Sequence, residues 1–475
     1  MDKKVLYDCV DKNADLLCQL SDRIWEYAEL SMQEYRSAAD YAAVMKELGF
    51  RVEEKLAGIP TAFSGRFGTE APVIGILGEF DALSGLSQKA DPAEKEPITA
   101  NGCGHGCGHN ILGAASLGAA IALKEQIEAG TLKGSVVFYG CPGEEGCAGK
   151  AFMARDGMFR DLDAALCWHP GDVNEVTVGS CAASLQVEYS FTGIASHAAG
   201  TPEMGRSALD AAELMNVGVQ FLREHMPKTG SIHYSFLDAG GPSPNVVQPT
   251  TKVLYMVRGA TVTAAKALLE RVNKIAQGAA MMTETSVSWK QIDGTASTLS
   301  NTVLEKLIYE NLLAAPLPQY TQEETDFASA LMDTYPAEGM PGNVTMDNMD
   351  AYLYVAQQSS NGKACLNNFV VPYIPSKQFS PGSTDVGDVS WLTPTVQFSA
   401  VTWPSGVPGH SWQIVSAGKS SIAHKGLVLA AKVLAGTAAD LMCDAQLLES
   451  AKKEFSITAA AGYDCPIGKE VMIPE

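Results

Sequence analysis

The stretch Ala183 to Thr192, ASLQVEYSFT, decides how this chain is organised. Leu185, Val187, Tyr189 and Phe191 alternate there with Gln186, Glu188, Ser190 and Thr192. A period of two marks an antiparallel strand with one face on a core and the other toward water. Forward from it, the spacing predicts a helix over Ser207–Glu224 and strands at Ile232–Leu237 and Lys252–Arg258. A helix with the apolar face Ala265, Leu268, Leu269, Val272, Ile275 and Ala276 follows, then a strand at Ser286–Lys290. The order β-α-β-β-α-β is that of a ferredoxin-like unit.

Backward from Ala183 the texture differs. Runs apolar on both faces, Val73–Leu77, Val136–Tyr139 and Ala164–Trp168, alternate with helical stretches such as Ile111–Gln126. Such runs suit central strands of a sheet covered by helices. Helices are expected over Asp11–Leu30 and Ala38–Leu48, and a late one over Ala423–Leu441, so the C-terminal third completes the first domain. The fold class is therefore α/β with two domains. Residues 1–182 and 295–475 form one, and residues 183–294 form a smaller ferredoxin-like βαββαβ domain inserted in it. Leu312–Asn343, rich in Pro, Gly and acid, reads as an irregular excursion of the surface.

Charge narrows the function classes. Thirty-four Lys and Arg against fifty-four Asp and Glu give a net charge of −20 over 475 residues, with no basic run. That argues against nucleic acid or an anionic membrane as partner. The N-terminus turns polar before a signal-length apolar stretch develops, and the run Ile111–Leu123 is too short to span a bilayer, so a cytoplasmic protein is expected. Eleven cysteines without a C-x-x-C pair do not make a disulfide framework. The absence of a P-loop or G-x-G-x-x-G gives no indication of a nucleotide cofactor.

The chemistry concentrates at the ends of expected strands, where sites assemble in open α/β sheets. Asn101–Asn110 reads NGCGHGCGHN and holds two Cys-Gly-His triplets, 103–105 and 107–109. Glycines between these ligand types let a thiolate and an imidazole meet one ion, though the spacing does not say which triplet does so. Glu144 and Glu145 follow the run Ser135–Gly140. Adjacent carboxylates at a strand end can divide labour, one holding a cation and the other moving a proton. His169 ends the run Ala164–Trp168, and His410 lies in PGHS at 408–411. With a Cys, a His and a Glu from the earlier segments they make a mixed N/O/S donor set.

In order along the chain stand GEFDALSGLSQ from Gly78, HGCGHN at 105–110, PGEEG at 142–146, WHP at 168–170, ASHAA at 195–199, NVV at 245–247 and GHS at 409–411. This succession resembles the M20 metallopeptidase family, in its amidohydrolase and aminoacylase branch, over essentially the whole chain. The resemblance implies a metal-dependent catalytic α/β domain with an inserted lid and dimerisation domain. It selects Cys107 and His109 over Cys103 and His105, and adds Glu145, His169 and His410 as ligands of two divalent ions. Cys favours Zn²⁺, while the carboxylate and the branch allow Mn²⁺.

The same resemblance makes Glu144 the general base and Asp81 a carboxylate orienting the metal-binding segment. His197 would act catalytically on the substrate carbonyl in a neighbouring subunit, and Asn245 would contact substrate. Arg258, at the end of its strand, could pair bidentately with a substrate carboxylate. Two residues depart from the pattern: Glu79 stands where many relatives have a ligand His, and Asn110 where the branch has Asp. The implied reaction is amide hydrolysis of a small N-acyl or N-aroyl amino acid, p-aminobenzoyl-glutamate first, by a homodimer or by a heteromer with a homologous subunit. A dipeptidase and a chiefly structural partner subunit are the rival readings.

Overall fold

The computed structural model describes residues 1–474 apart from 337–339 and 345–347. Its strands are β1 (Arg51–Glu54), β2 (Phe63–Phe67), β3 (Val73–Glu79), β4 (Ser135–Cys141), β5 (Ala164–Gly171), β6 (Val173–Val176) and β7 (Ser180–Cys181). They continue as β8 (Ala183–Thr192), β9 (Ser231–Asp238), β10 (Thr250–Gly259), β11 (Ser286–Thr295), β12 (Asn367–Val370), β13 (Phe379–Ser380) and β14 (Thr395–Val401).

Eight of them form one sheet in the order β1-β2-β4-β3-β5-β14-β6-β12. The centre, β4-β3-β5-β14, is parallel throughout. Every residue of β3 and β4 is buried, as the unbroken apolar runs require when helices cover both faces. One face packs on the helices His109–Glu128 and Ser421–Cys443, which bury Leu112, Leu117, Leu427 and Leu434 against Ile74, Phe138 and Phe398. The other packs on Gly149–Arg155 and Val386–Ser390 through Phe152, Val386 and Val389. Ser421–Cys443 has the length and apolarity of a membrane span, but 83% of its most apolar window is buried inside this fold, so it is a core helix. Because the central strands run the same way, Glu79, Cys141 and His169 all come to one edge of the sheet.

The inserted unit is an antiparallel sheet in the order β11-β8-β10-β9. Numbered within the unit this is 4-1-3-2, with the helices Ala208–Arg223 and Val262–Met282 on one face. Val187, Tyr189 and Phe191 of β8 pack there with Met215, Val219, Val253, Val272 and Ala276. The buried phenols are satisfied within the unit: Tyr189 donates to Asn273 Oδ1 at 2.6 Å and Tyr255 to Asn216 Oδ1 at 2.5 Å. β9 is an edge strand and carries the exposed Tyr234, Phe236 and Leu237.

Two sequence expectations are corrected. The stretch Leu312–Asn343 is not wholly irregular: it holds the end of the helix Thr302–Ala314 and the whole of the helix Gln322–Met332, while its residues 337–339 lie outside the described residues. The second helix starts at a capping box, in which Thr321 Oγ1 accepts from the Glu324 N–H at 3.3 Å and the Glu324 carboxylate accepts from the Thr321 N–H at 2.7 Å. The helix expected over Asp11–Leu30 is present as Ala14–Tyr27, its expected start set back by Asn13, before which Asp11 and Lys12 end a separate helix, Lys3–Lys12.

Candidate metal centre

The loop Asn101–Asn110 sets the first part of the site. A side chain at Gly104 would come within 2.4 Å of the Leu86 carbonyl oxygen, so only glycine lets the loop lie this close to its neighbour. Gly108, at φ 72°, turns the chain into the helix that His109 opens. The two triplets part company there. His105 is buried with Nε2 3.0 Å from the Ile24 carbonyl oxygen, and burial pushes its pKa down to about 4, so it is a neutral core imidazole. Cys107 and His109 instead face a cluster of donors.

The ligand atoms form three overlapping sets, the atoms of each within 4.8 Å of one another: Cys107, His109 and His169; Cys107, Glu145 and His410; and Glu79, His109 and Glu144. Cys107 belongs to two of them, as a thiolate between two ions would. Its Sγ is 3.4 Å from His169 Nε2. Both imidazoles are oriented from behind. His109 Nδ1 donates to Asp81 Oδ1 at 2.9 Å and His169 Nδ1 to the Pro170 carbonyl at 2.7 Å, which in the neutral rings a cation would require leaves each Nε2 as a lone pair facing the cluster. His109 Nε2 and Glu145 Oε1 are buried without a hydrogen bond. Buried acceptors are costly to leave unpaired, and two of them converging with a thiol fit divalent cations as their missing partners.

The electrostatics agree. Burial pushes the Cys107 thiol up to about 12, so a nearby cation is what would make it a thiolate ligand. Burial also opposes the Asp81 carboxylate, yet the hydrogen bond from His109, the Glu145 N–H at 2.9 Å and the Ser31 hydroxyl at 2.8 Å hold it down at about 2. Glu144 is pushed well above the usual carboxylate range by burial and by the neighbouring Glu79 and Asp385.

Beneath the cluster lies a charged floor that sequence reasoning missed. Lys150 Nζ is 2.6 Å from Glu79 Oε1 and 2.6 Å from Asp385 Oδ1, and Asp385 also accepts the Lys150 N–H at 2.8 Å. Glu79, in the sequence only a departure from the family pattern, is 3.3 Å from His109 Nε2. Glu34, buried between Thr61 and the Glu144 turn, accepts the Gly143 N–H at 2.9 Å. The available signals were a Lys inside the apolar stretch GKAFMA and a Glu closing the run VIGILG.

His410 completes the second set from the surface. Its φ of 55° is uncommon for a residue with a side chain, its N–H donates to the Gly106 carbonyl at 3.2 Å, and its Nε2 is 3.4 Å from Glu145 Oε2. The inserted unit keeps its candidates apart from the cluster. His197 and Asn245 sit on adjacent exposed loops, with the Ala198 N–H donating to the Asn245 carbonyl at 3.0 Å. His197 Nδ1 accepts from the N–H groups of Ala199 and Gly200 at 3.2 and 3.1 Å, which leaves the ring proton on an outward Nε2. Among the described residues, neither His197 nor Asn245 hydrogen bonds to a member of the cluster. Arg258 lies where the two domains meet, its Nε 3.4 Å from Ser383 Oγ and its Nη1 3.4 Å from His233 Nδ1. A cavity of about 1140 Å³ opens beside His169, between Val176–Cys181 and Val371–Thr384.

Residues 75–296 match the pattern of Peptidase family M20/M25/M40. Over 473 residues the chain is 41% identical to one of the subunits of the p-aminobenzoyl-glutamate hydrolase of Escherichia coli (strain K12), spanning 98% of this chain and 97% of that one. It is 27% identical over 459 residues to the Xaa-Arg dipeptidase of Mus musculus, spanning 94% and 90% of the two chains. The crystal structure of aminobenzoyl-glutamate utilization protein from Klebsiella pneumoniae shares the fold, with a TM-score of 0.58 over 92% of this chain and 98% of that one at 18% identity. Identity of that depth along the whole length, laid over donors whose chemistry asks for divalent cations, places the chain in peptidase family M20/M25/M40 as a metal-dependent amidohydrolase.

Proposed function

We propose that the chain hydrolyses the amide bond of N-aroyl and N-acyl amino acids, with p-aminobenzoyl-glutamate, cleaved to p-aminobenzoate and glutamate, the first substrate. Residues 1–182 and 295–475 would be the catalytic domain and residues 183–294 the lid. The observation that carries the reading is Cys107, common to two donor sets, beside the buried His109 Nε2, which makes no hydrogen bond. Cys107, His109, Glu145, His169 and His410 would hold two divalent ions, Zn²⁺ or Mn²⁺, which when bound activate water and polarise the substrate carbonyl.

The chain's own groups supply the rest. Glu144 accepts the proton of the attacking water and returns it to the leaving amine. Asp81 fixes the ring of His109 and the backbone of Glu145 together. His197 Nε2–H donates to the carbonyl oxygen as negative charge grows there. Asn245 and Arg258 contact the substrate, Arg258 at its α-carboxylate. His197 is exposed on the lid, so it serves a site by lid movement or in a second subunit. The unpaired edge of β9, with Tyr234, Phe236 and Leu237 exposed, supports a dimer. The Escherichia coli relative is by name one subunit of a hydrolase, which supports a heteromer as the alternative assembly. Eleven free cysteines support a reducing, cytoplasmic setting.

The test is a hydrolysis screen on protein reconstituted with Zn²⁺ or Mn²⁺, with elemental analysis alongside. About two ions per chain and cleavage of p-aminobenzoyl-glutamate ahead of acetyl-leucine and plain dipeptides are expected. Preference for a dipeptide would make the chain a peptidase.

A further inference from the structure

We infer that Lys377 recognises a second carboxylate of the substrate, so that the chain selects acyl amino acids whose amino-acid side chain is itself acidic. The inference rests on the amidohydrolase reading above and names the substrate class of that same site.

The cavity beside His169 is the ground for it. Val176, Val178, Tyr373, Ile374 and Phe379 give it apolar surface suited to an aromatic acyl group. Lys377 is the single Lys or Arg lining it among the described residues, in a chain whose net charge is −20. The cavity's own carboxylate does not neutralise Lys377. Glu175 is engaged by Asn343, whose N–H lies 3.0 and 3.2 Å from the two carboxylate oxygens and whose Nδ2 donates to Oε1 at 2.7 Å. Among the described residues, no carboxylate lies within 4.0 Å of the Lys377 ammonium. Lys377 is solvent-exposed and, among the described residues, has no carboxylate partner; on the wall of a cavity that reaches a metal-ligand candidate, it is placed to meet an anionic ligand.

The second observation is where the lid touches this wall. Arg258 Nε reaches Ser383 Oγ, on the same Val371–Thr384 segment that carries Lys377. Two cations, one from each domain, thus meet one segment of the cavity wall, Lys377 as part of it and Arg258 through Ser383. A substrate with a single carboxylate needs only one of them, and a dicarboxylate such as an acylated glutamate or aspartate uses both. An ammonium, a point charge on a flexible stem, suits a mobile side-chain carboxylate, whereas the guanidinium fork suits the fixed α-carboxylate.

The experiment compares p-aminobenzoyl-glutamate with p-aminobenzoyl-glutamine on metal-loaded protein. For the unaltered chain, kcat/KM should favour the glutamate compound, and in Lys377→Ala this preference should fall about ten-fold, mostly through KM. Lys377→Arg should restore it, and raised salt should narrow it. A preference unmoved by Lys377→Ala overturns the inference, as does a loss equal for both compounds. Should the unaltered chain cleave neither compound, the hydrolase reading of this substrate fails, and calorimetric binding decides Lys377 separately. Tighter binding of the glutamate compound that vanishes in Lys377→Ala upholds it, and equal binding of the two compounds overturns it.

Discussion

The metal cluster and the inserted lid treat their polar residues in opposite ways. Under the cluster, Glu79, Asp81, His109, Lys150 and Asp385 are each at most 2% exposed, and each is held by at least one charged or hydrogen-bonded neighbour. On the lid, His197 and Asn245 are exposed, and the hydrogen bonds of their loops run within and between those two loops. Desolvating five ionisable groups is expensive, and close pairing offsets the cost only because the arrangement leaves little room to move. The donor cluster is therefore preorganised. The lid half gains its chemical meaning when something is brought against it.

The largest test of that contrast is within the Glu pair. Glu144→Gln should keep its metal and lose about two to four orders of magnitude in rate, while Glu145→Gln should lose metal, as read by steady-state kinetics and elemental analysis. Equal metal loss in both would erase the division of labour. Next comes the floor. Lys150→Met leaves Glu79 and Asp385 facing each other without a cation and should cost about 3 to 5 kcal/mol in denaturant unfolding. His197→Ala, on the exposed lid, should stay within about 0.5 kcal/mol in the same assay. Similar costs for the two would mean that the halves do not differ in the way described.

A third test asks whether the lid is completed by another subunit. Inactive His197→Ala and inactive Glu144→Gln proteins, mixed under conditions of proven subunit exchange, should recover about a quarter of full activity, since half the dimers would carry one intact site of two. No recovery would place His197 in the service of its own chain.

The smallest effect calibrates pairing away from the site. His424 Nε2 lies 2.9 Å from Asp22 Oδ1, and although burial works to lower its pKa, that hydrogen bond raises it to about 9. The folded value lies above the unfolded one, so the stabilisation is full below about pH 6.5 and is lost as pH rises through 9. Partial solvent exposure of both partners discounts it to about 1 kcal/mol. Asp22→Asn should flatten that part of the pH–stability curve, and an unchanged curve would show the pair to be inert.

What the sequence disclosed follows from range. The β8 alternation, the amphipathic helices of the lid, the Cys-Gly-His triplets and the Glu pair are all local patterns, and the structure places each at or near the expected element. The helix Gln322–Met332 was legible too, through Thr321-x-x-Glu324, but the surrounding Pro, Gly and acid hid the capping box. The charged floor was not legible. Lys150 and Asp385 are 235 positions apart, and Gly143 and Glu34 are 109 apart, so no spacing rule joins them. Nor does any local pattern tell that β14 lies between β5 and β6.

That placement of β14 bears on the order in which the molecule can be made. Ala183–Thr295 contains all the partners of its own sheet, so the inserted unit can fold on the ribosome as soon as it emerges. The large sheet cannot follow suit. β5 pairs residue by residue with β14, from Ala165 with Thr395 to Gly171 with Val401, so its parallel core stays open until residues 395–401 emerge, within the last fifth of the chain. Closing so long a loop is slow, and meanwhile the open edge of β5 is exposed to other chains. Yield in the cell should thus hinge on folding helpers that act on the late chain, and truncations that remove β14 should leave a folded lid attached to an aggregating remainder.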